Sequence, residues 1–217
     1  IAALTTSSLA LLGSEKLAML TTLQVGGLKT QQLLGLSSES LNALTTEQFA
    51  ALKVTQLPSL TSGQLLSLER ADLQALSTVQ MGALSSVQLN YLSTEQMVSL
   101  LTSQVRGLTT LQVGALTSVN LNALGTSQFQ ALTTLQVAAL KASQVASLET
   151  ADLLSLGSVQ LRALGTAGIA ALRSEQVMAL SAEKFASLTT GQIAALTTSS
   201  LALLGSEKLA MLTTLQV

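Results

Sequence analysis

The chain has 217 residues and a net charge of −1; 48% of its residues are hydrophobic, 10% are charged and 2% are aromatic. The high apolar content excludes intrinsic disorder, and the ten scattered basic residues do not form the positive surface that nucleic-acid binding requires. The absence of Cys and His excludes disulfides, thiolate chemistry and imidazole metal ligands.

A leucine recurs at every eighth position from Leu4 to Leu212, which defines 27 consecutive octads. Numbered from this leucine, position 6 is always apolar, from Leu9 to Val217. Position 3 is Ser or Thr in 23 octads, position 5 is most often Gln, and position 8 is usually Ala, Ser or Gly. We therefore interpret residues 1–217 as a single continuous octad-repeat array.

Two longer periods overlie the octad. Residues 1–25 and 193–217 are identical at an offset of 192 residues, and residues 68–73 resemble residues 148–153 at an offset of 80. The long identity indicates recent duplication, so we expect the chain to be a fragment of a longer array that continues beyond both ends. Because both offsets are multiples of 16, two octads are expected to form one structural unit.

The eight-residue period is incompatible with one long helix or a regular strand. Eight residues turn a helix by about 800°, so the leucines would drift by about 80° per repeat and no face would stay buried. Positions 1 and 6 have opposite parity, so they would point to opposite faces of a strand.

Each octad does fit one very short helix followed by a turn. Ser or Thr at position 2 would be the N-cap, Gln at position 5 would complete a capping box, and positions 1 and 6 would form a hydrophobic staple. Where position 2 is Gly, we expect a left-handed residue that closes the previous helix and moves the cap to position 3. These glycines are Gly13, Gly125, Gly157, Gly165 and Gly205.

Helices this short are unstable alone in water, so the octads must stack. The predicted fold class is an all-α solenoid with one helix per octad; the alternative is a β-solenoid with Thr and Gln ladders. Pro58, at position 7, is expected to be accommodated locally. The aromatic rings of Phe49, Phe129 and Phe185 are expected in the core, and Tyr91 in a widened small-residue position.

No catalytic, cofactor-binding or metal-binding residue is predicted, and the chain is not expected to be an enzyme. Asp72 and Asp152 replace Gln at position 5, where a carboxylate is expected to be a favourable helix cap. The Ser/Thr rows could bind ice or sugar, but capping hydroxyls explain them better. The glutamines at position 5 could form hydrogen bonds along the stack.

Thr, Ser and Gln interrupt the uncharged stretch 107–140, so we predict no membrane span.

The motif Leu-Thr-Thr-Leu-Gln-Val-Ala-Ala-Leu at residues 132–140 resembles octad arrays in very large bacterial surface and adhesin-like proteins. The resemblance covers the whole chain and implies an extracellular or cell-surface location.

The expected function is structural: an extracellular fibre, stalk or surface filament, with self-association as the expected partner interaction. The alternative is a solenoid binding module in which positions 2, 4 and 7 recognise a protein or a glycan. Those positions hold mostly Ala, Gly, Thr and Ser, a composition that favours spacing over recognition.

Overall fold

The octads fold as short helices of four to six residues, with one 3₁₀ turn, in a computed structural model that describes residues 1–216. No residue in that range is in a β-strand, so the all-α prediction is confirmed over the β-solenoid alternative. The chain forms two compact units: residues 1–108, and the described residues from Thr109 onward.

The first unit contains twelve helices and the 3₁₀ turn, which lies at Leu57–Ser59 between α6 and α7. The helices are α1 Thr6–Ala10, α2 Gly13–Ala18, α3 Thr22–Gly26, α4 Thr30–Leu34, α5 Ser38–Asn42, α6 Thr46–Ala50, α7 Ser62–Leu66, α8 Arg70–Ala75, α9 Thr78–Ala83, α10 Ser86–Leu89, α11 Thr94–Ser99 and α12 Thr102–Gly107.

The described part of the second unit contains thirteen helices. They are α13 Thr110–Ala115, α14 Ser118–Asn122, α15 Thr126–Ala131, α16 Thr134–Ala138, α17 Ala142–Ser147, α18 Thr150–Ser155, α19 Ser158–Ala163, α20 Gly165–Ala170, α21 Ser174–Ala179, α22 Ala182–Ala186, α23 Thr190–Ala194, α24 Thr198–Ala202 and α25 Ser206–Ala210.

Most of the helices begin directly after position 2, as the octad pattern predicts. Thr45 is an extended N-cap whose Oγ1 accepts a hydrogen bond from the Gln48 backbone N–H at 3.3 Å. Gln48 Oε1 accepts the Thr45 N–H at 2.7 Å, which completes the capping box. The N-cap hydroxyls that accept the N3 backbone N–H, with or without a capping box, are those of Thr5, Thr21, Ser37, Thr45, Thr61, Ser77, Ser85, Ser93, Thr109, Thr117, Thr133, Ser181, Thr189 and Thr197. The interpretation of position-2 hydroxyls as caps is confirmed.

The core of each unit consists of the position 1 leucines and the position 6 apolar residues. From Leu28 to Leu196, all of these side chains are buried. Phe49, Phe129 and Phe185 occupy position 6 and are fully buried, as predicted. Tyr91 occupies the small-residue position 8, two residues after the end of the four-residue helix α10, and is half exposed.

Helices pack against helices three octads further along the chain. The structural unit is therefore not the pair of octads that the longer periods led us to expect. Within the first unit α1 packs on α4 and α3 on α6; within the second, α13 packs on α16 and α16 on α19. Hydrogen bonds between successive turns join residues 25 to 31 positions apart. One turn of each solenoid therefore takes between three and four octads.

Pro58 changes its octad without interrupting the stack, as expected. Proline has no backbone N–H and its ring does not fit a helix interior, and here a 3₁₀ turn replaces the α-helix. Leu57 remains fully buried, and Gln56 still donates to the Val25 and Leu28 carbonyls at 3.1 and 2.7 Å.

The prediction for glycine at position 2 is wrong in two respects. Gly125, Gly157 and Gly205 are extended N-caps with φ between −80° and −71°, the conformation that Thr adopts elsewhere. Gly13 and Gly165 do have positive φ, of 74° and 65°, but the cap does not move to position 3 because their helices begin at the glycine itself. Glycine tolerates both conformations because it has no Cβ.

A small residue at the end of a helix is required where two turns approach closely. A Cβ added to Gly107 would lie 2.7 Å from Thr78 Cβ and 3.1 Å from Thr78 Cα, whereas a Cβ on Gly63 would meet nothing within 4 Å. We expect Gly107→Ala to lower the free energy of unfolding by about 1–3 kcal/mol through overpacking. The matched variant Gly63→Ala, inside α7, should raise it by roughly 0.5–1 kcal/mol through backbone entropy.

Urea unfolding of both variants, followed by circular dichroism, tests this pair. Equal effects of the two alanines would contradict the close approach of α12 to α9.

Candidate functional site

The most unusual chemical feature of the interior is a column of buried amides at position 5. These side chains are at most 7% exposed, although primary amides are rarely buried without partners. The buried members are Gln32, Gln48, Gln56, Gln64, Gln80, Gln88, Gln96, Gln104, Gln112, Asn120, Gln128, Gln136, Gln144, Gln176 and Gln192.

Gln64 shows how such a side chain is satisfied. Its Oε1 accepts the Thr61 backbone N–H at 2.9 Å, within its own octad. Its Nε2 donates to the Leu33 and Leu36 carbonyls, each at 2.8 Å, in the preceding turn of the solenoid. In the second unit Gln144 repeats this arrangement with Lys141 N–H at 2.8 Å and the Val113 and Leu116 carbonyls at 3.0 and 2.9 Å.

Each glutamine thereby caps two helices. Its oxygen accepts an N–H at the start of its own helix, which has no partner within that helix. Its nitrogen donates to two carbonyls at the end of a helix one turn back, of which one, such as that of Leu33, also accepts a backbone N–H. We call this three-bond arrangement the glutamine bridge. The expectation that the Gln column bonds along the stack is confirmed.

The oxygen half of the bridge does not need a hydroxyl at position 2. Lys29 and Gly125 both occupy that position, and their N–H groups donate to Gln32 and Gln128 at 2.7 Å. At position 5, lysine can replace the nitrogen half: Lys184 Nζ donates to the Leu154 carbonyl, and Lys208 Nζ to the Met178 carbonyl.

Two carboxylates in the column behave differently from the expected favourable caps. Asp72 and Asp152 are buried, and burial, reinforced by the nearby charges of Glu69 and Glu149, raises the pKa of each to about 6. A carboxylate stabilised by a helix N-terminus would instead have a lowered pKa. The expectation of a good anionic cap is therefore wrong: the charged form is destabilised in both places.

No catalytic, cofactor-binding or metal-binding residue was predicted from the sequence, so there is no such prediction to place in the structure. Within residues 1–216 there is no group of three or more His, Cys, Asp or Glu side chains placed to hold a metal ion. Over the same residues, no helix has the length and apolar character needed to cross a membrane.

Sequence reasoning missed an exposed apolar row at position 4. Leu111, Leu135 and Val159 lie 24 residues apart on the consecutively packed helices α13, α16 and α19, and all three are mostly exposed. The signal was present, because position 4 alternates among Leu, Val, Glu and small residues, but only the three-octad packing places these three side chains in line.

A groove of about 580 Å³ lies in the first unit between α7–α8 and α11. Apolar Leu66 and Val98 line it together with Arg70 and Glu95, whose charges are opposite. The lining of this groove is therefore partly apolar and partly charged.

Removal of one glutamine bridge should be strongly destabilising. Gln64→Leu leaves the Thr61 N–H and the Leu36 carbonyl without the partner that Gln64 supplies, and the Leu33 carbonyl with the Leu36 N–H alone. We expect a loss of about 2 kcal/mol or more in the free energy of unfolding. Gln64→Lys should lose less, since an ammonium can still donate to a carbonyl. The control is Gln31→Leu, at an exposed position of α4, which should change stability by less than about 0.5 kcal/mol. Urea unfolding measures all three, and equal effects at Gln64 and Gln31 would refute the bridge.

The two buried aspartates should make stability depend on pH. Their folded-state pKa of about 6 exceeds the ordinary value of 3.8, so folding binds protons. The native state is then favoured most below pH 3.8, and this stability is lost as the pH rises through about 6. At pH 8 the double variant Asp72→Gln/Asp152→Gln should be more stable than the wild type by on the order of 1–3 kcal/mol per site, and the difference should shrink towards pH 4. Denaturation midpoints across this range provide the measurement, and a difference that grows as the pH falls would contradict the assignment.

Comparison with known proteins agrees with the repeat architecture. The profile of the ALTTAQ repeat matches residues 26–62, 65–102 and 145–182, which together make up more than half of the chain. No curated protein matches the chain. The chain therefore belongs to the ALTTAQ repeat family.

Proposed function

We propose that this array is a structural protein, a fibre, stalk or surface filament that lies outside the cell and catalyses no reaction. The glutamine bridge carries the proposal: in both units, a buried position 5 glutamine in most octads joins a turn to the preceding turn by hydrogen bonds at both helix ends. Hydrogen bonds that recur in successive turns oppose separation of those turns. A fibre or stalk under tension needs this resistance.

The location is supported by the resemblance of the octad to arrays in large bacterial surface proteins. The chemistry of the interior also supports a structural role, because the buried polar side chains of the column are used in holding successive turns together.

The exposed apolar row favours a second candidate, a binding or adhesion module. Leu111, Leu135 and Val159 offer a linear apolar surface on the second unit. A row of exposed apolar side chains at fixed spacing is typical of a surface that binds another protein or a second copy of the array, and less typical of a site for a small soluble ligand.

Electron microscopy of the purified 217-residue chain tests the structural proposal. Elongated particles or filaments of uniform width are expected, and compact irregular particles would contradict it. An antibody against the chain should label intact cells of the organism that encodes it, and labelling only after permeabilisation would contradict the extracellular location.

The triple variant Leu111→Ser/Leu135→Ser/Val159→Ser separates the two candidates. A purely structural rod should keep its length and width, since these side chains are exposed. Loss of attachment to cells or to a surface, with unchanged particles, would favour the binding module.

A further inference from the structure

Two groups of oxygen-bearing side chains recur in the same arrangement, one in each unit. Only two octads combine glutamate at position 2 with aspartate at position 5, and in both cases position 7 is asparagine 30 residues before the aspartate. We call Asn42, Glu69 and Asp72 the first oxygen set, and Asn122, Glu149 and Asp152 the second oxygen set. The repeated combination indicates that the three side chains of a set act together.

The turns of the solenoid bring each asparagine close to the aspartate of its set. Asn42 Nδ2 donates to the Ser67 carbonyl at 2.6 Å, two residues before the N-cap of α8. Asn122 Nδ2 donates to the Ser147 carbonyl at 2.8 Å, two residues before the N-cap of α18. Each asparagine amide therefore lies beside the start of the helix that carries the aspartate.

The position 5 side chain approaches the same place from its own helix. Elsewhere in the column it lies against position 7 of the octad 30 residues earlier, as the bond from Gln80 Nε2 to the Ala50 carbonyl at 3.2 Å shows. This register places the aspartate of each set against its asparagine. Burial and then the charge of the glutamate raise the pKa of each aspartate, so the two carboxylates of a set are close enough to interact.

The asparagine and aspartate oxygens have no hydrogen-bond donor. Asn42 Oδ1 and Asn122 Oδ1 are buried and accept no hydrogen bond from the described residues. Asp72 and Asp152 are only 4% and 5% exposed, and no hydrogen bond contributes to the pKa of either carboxyl group. Buried oxygens without donors are unfavourable, and their recurrence at two places indicates a positively charged ligand.

A backbone carbonyl adds a further oxygen to each set. The carbonyl 28 residues before position 5 accepts the side-chain nitrogen in a glutamine bridge, as Leu36 does from Gln64. The corresponding carbonyl belongs to Leu44 in the first set and to Leu124 in the second. An ionised aspartate has no proton to donate, so here the carbonyl meets a second acceptor instead of a donor.

We propose that each oxygen set binds one calcium ion. Ca²⁺ takes about six to eight oxygen ligands from carboxylates, amide side chains, backbone carbonyls and water, which is the mixture that each set supplies. The two carboxylates of a set balance the charge of the ion. Mg²⁺ is smaller, demands near-ideal octahedral geometry and loses water reluctantly, so ligands drawn from two turns suit it less well.

The bound ion joins successive turns at the two places where aspartate replaces the glutamine of the column. The sequence predicted no metal ligand, because the amide and the carbonyl lie 30 and 28 residues before the aspartate and come near it only in the folded solenoid. Each set has only two carboxylates, so neither forms a cluster of three acidic side chains.

Equilibrium dialysis of the 217-residue chain against calcium chloride at pH 8 tests the sites. After removal of divalent ions with EDTA, one ion should bind per oxygen set, half-filled at about 0.1–1 mM calcium. Asp152→Gln should lose half of this binding, and Asp72→Gln/Asp152→Gln should lose all of it. Both variants should fold, because glutamine is the usual residue of the column and can form the glutamine bridge; circular dichroism checks this.

Glu207→Gln is the matched control, because Glu207 is exposed and outside both sets. It should bind calcium like the wild type, and magnesium should bind the wild type at least about tenfold more weakly than calcium. No binding by the wild type at about 10 mM calcium, or full binding by the double variant, would overturn the calcium sites. Equal binding of magnesium, or loss of binding in Glu207→Gln, would indicate general attraction to surface acids and would also overturn them.

Urea unfolding at pH 8 gives a second measurement that does not depend on counting ions. About 10 mM calcium should raise the ratio of folded to unfolded wild type at least tenfold per site relative to EDTA, and should leave the double variant unchanged. In EDTA the wild type should keep the pH dependence described above. Stabilisation at low pH with no effect of calcium at pH 8 would show that protons, not a metal ion, satisfy these oxygens, and would overturn the proposal.

Discussion

The glutamine bridge is the interaction on which the rest of the structure depends. A helix of five or six residues makes very few internal hydrogen bonds, so most of its backbone N–H and C=O groups need partners elsewhere. Burial of such a helix without those partners would be strongly unfavourable. In most octads a primary amide supplies an acceptor for one helix and donors for another, which is why side chains such as Gln64 and Gln144 are buried in a core that is otherwise apolar.

The bridge also explains why the composition can be so simple. Leucine at position 1 and an apolar residue at position 6 fill the core. The residue at position 2 donates its backbone N–H to the glutamine, whether or not it carries a hydroxyl. A small residue at position 8 leaves room for the next turn to pack closely. Nothing in that set requires charge or aromatic rings. The column tolerates Lys184, whose ammonium donates like the amide. Asp72 cannot donate unless it is protonated, and burial, with the nearby charge of Glu69, raises its pKa.

Features that lie within one octad could be predicted from the sequence. The N-caps, the capping boxes and the buried Phe49, Phe129 and Phe185 follow from local spacing, since N-cap, N3 and N4 are fixed by the backbone of one helix turn. The number of octads per turn could not be predicted, because it depends on the angle that each linker introduces between helices. For the same reason the alignment of Leu111 with Leu135 and Val159 was not evident, and neither was the environment of Asp72. The two conformations of glycine at position 2 also depend on packing, since Gly13 and Gly205 share one local sequence and differ in φ.

Exchange of the glutamine side-chain amide protons, followed by nuclear magnetic resonance, tests the central claim most directly. The Nε2 protons of Gln64 and Gln144 are both donated to buried carbonyls, so they should exchange with solvent at least about a hundredfold more slowly than those of the exposed Gln31 in the same sample. Exchange of all three at the same rate would show that the buried amides do not bridge the turns, and would contradict the account of how these short helices are held.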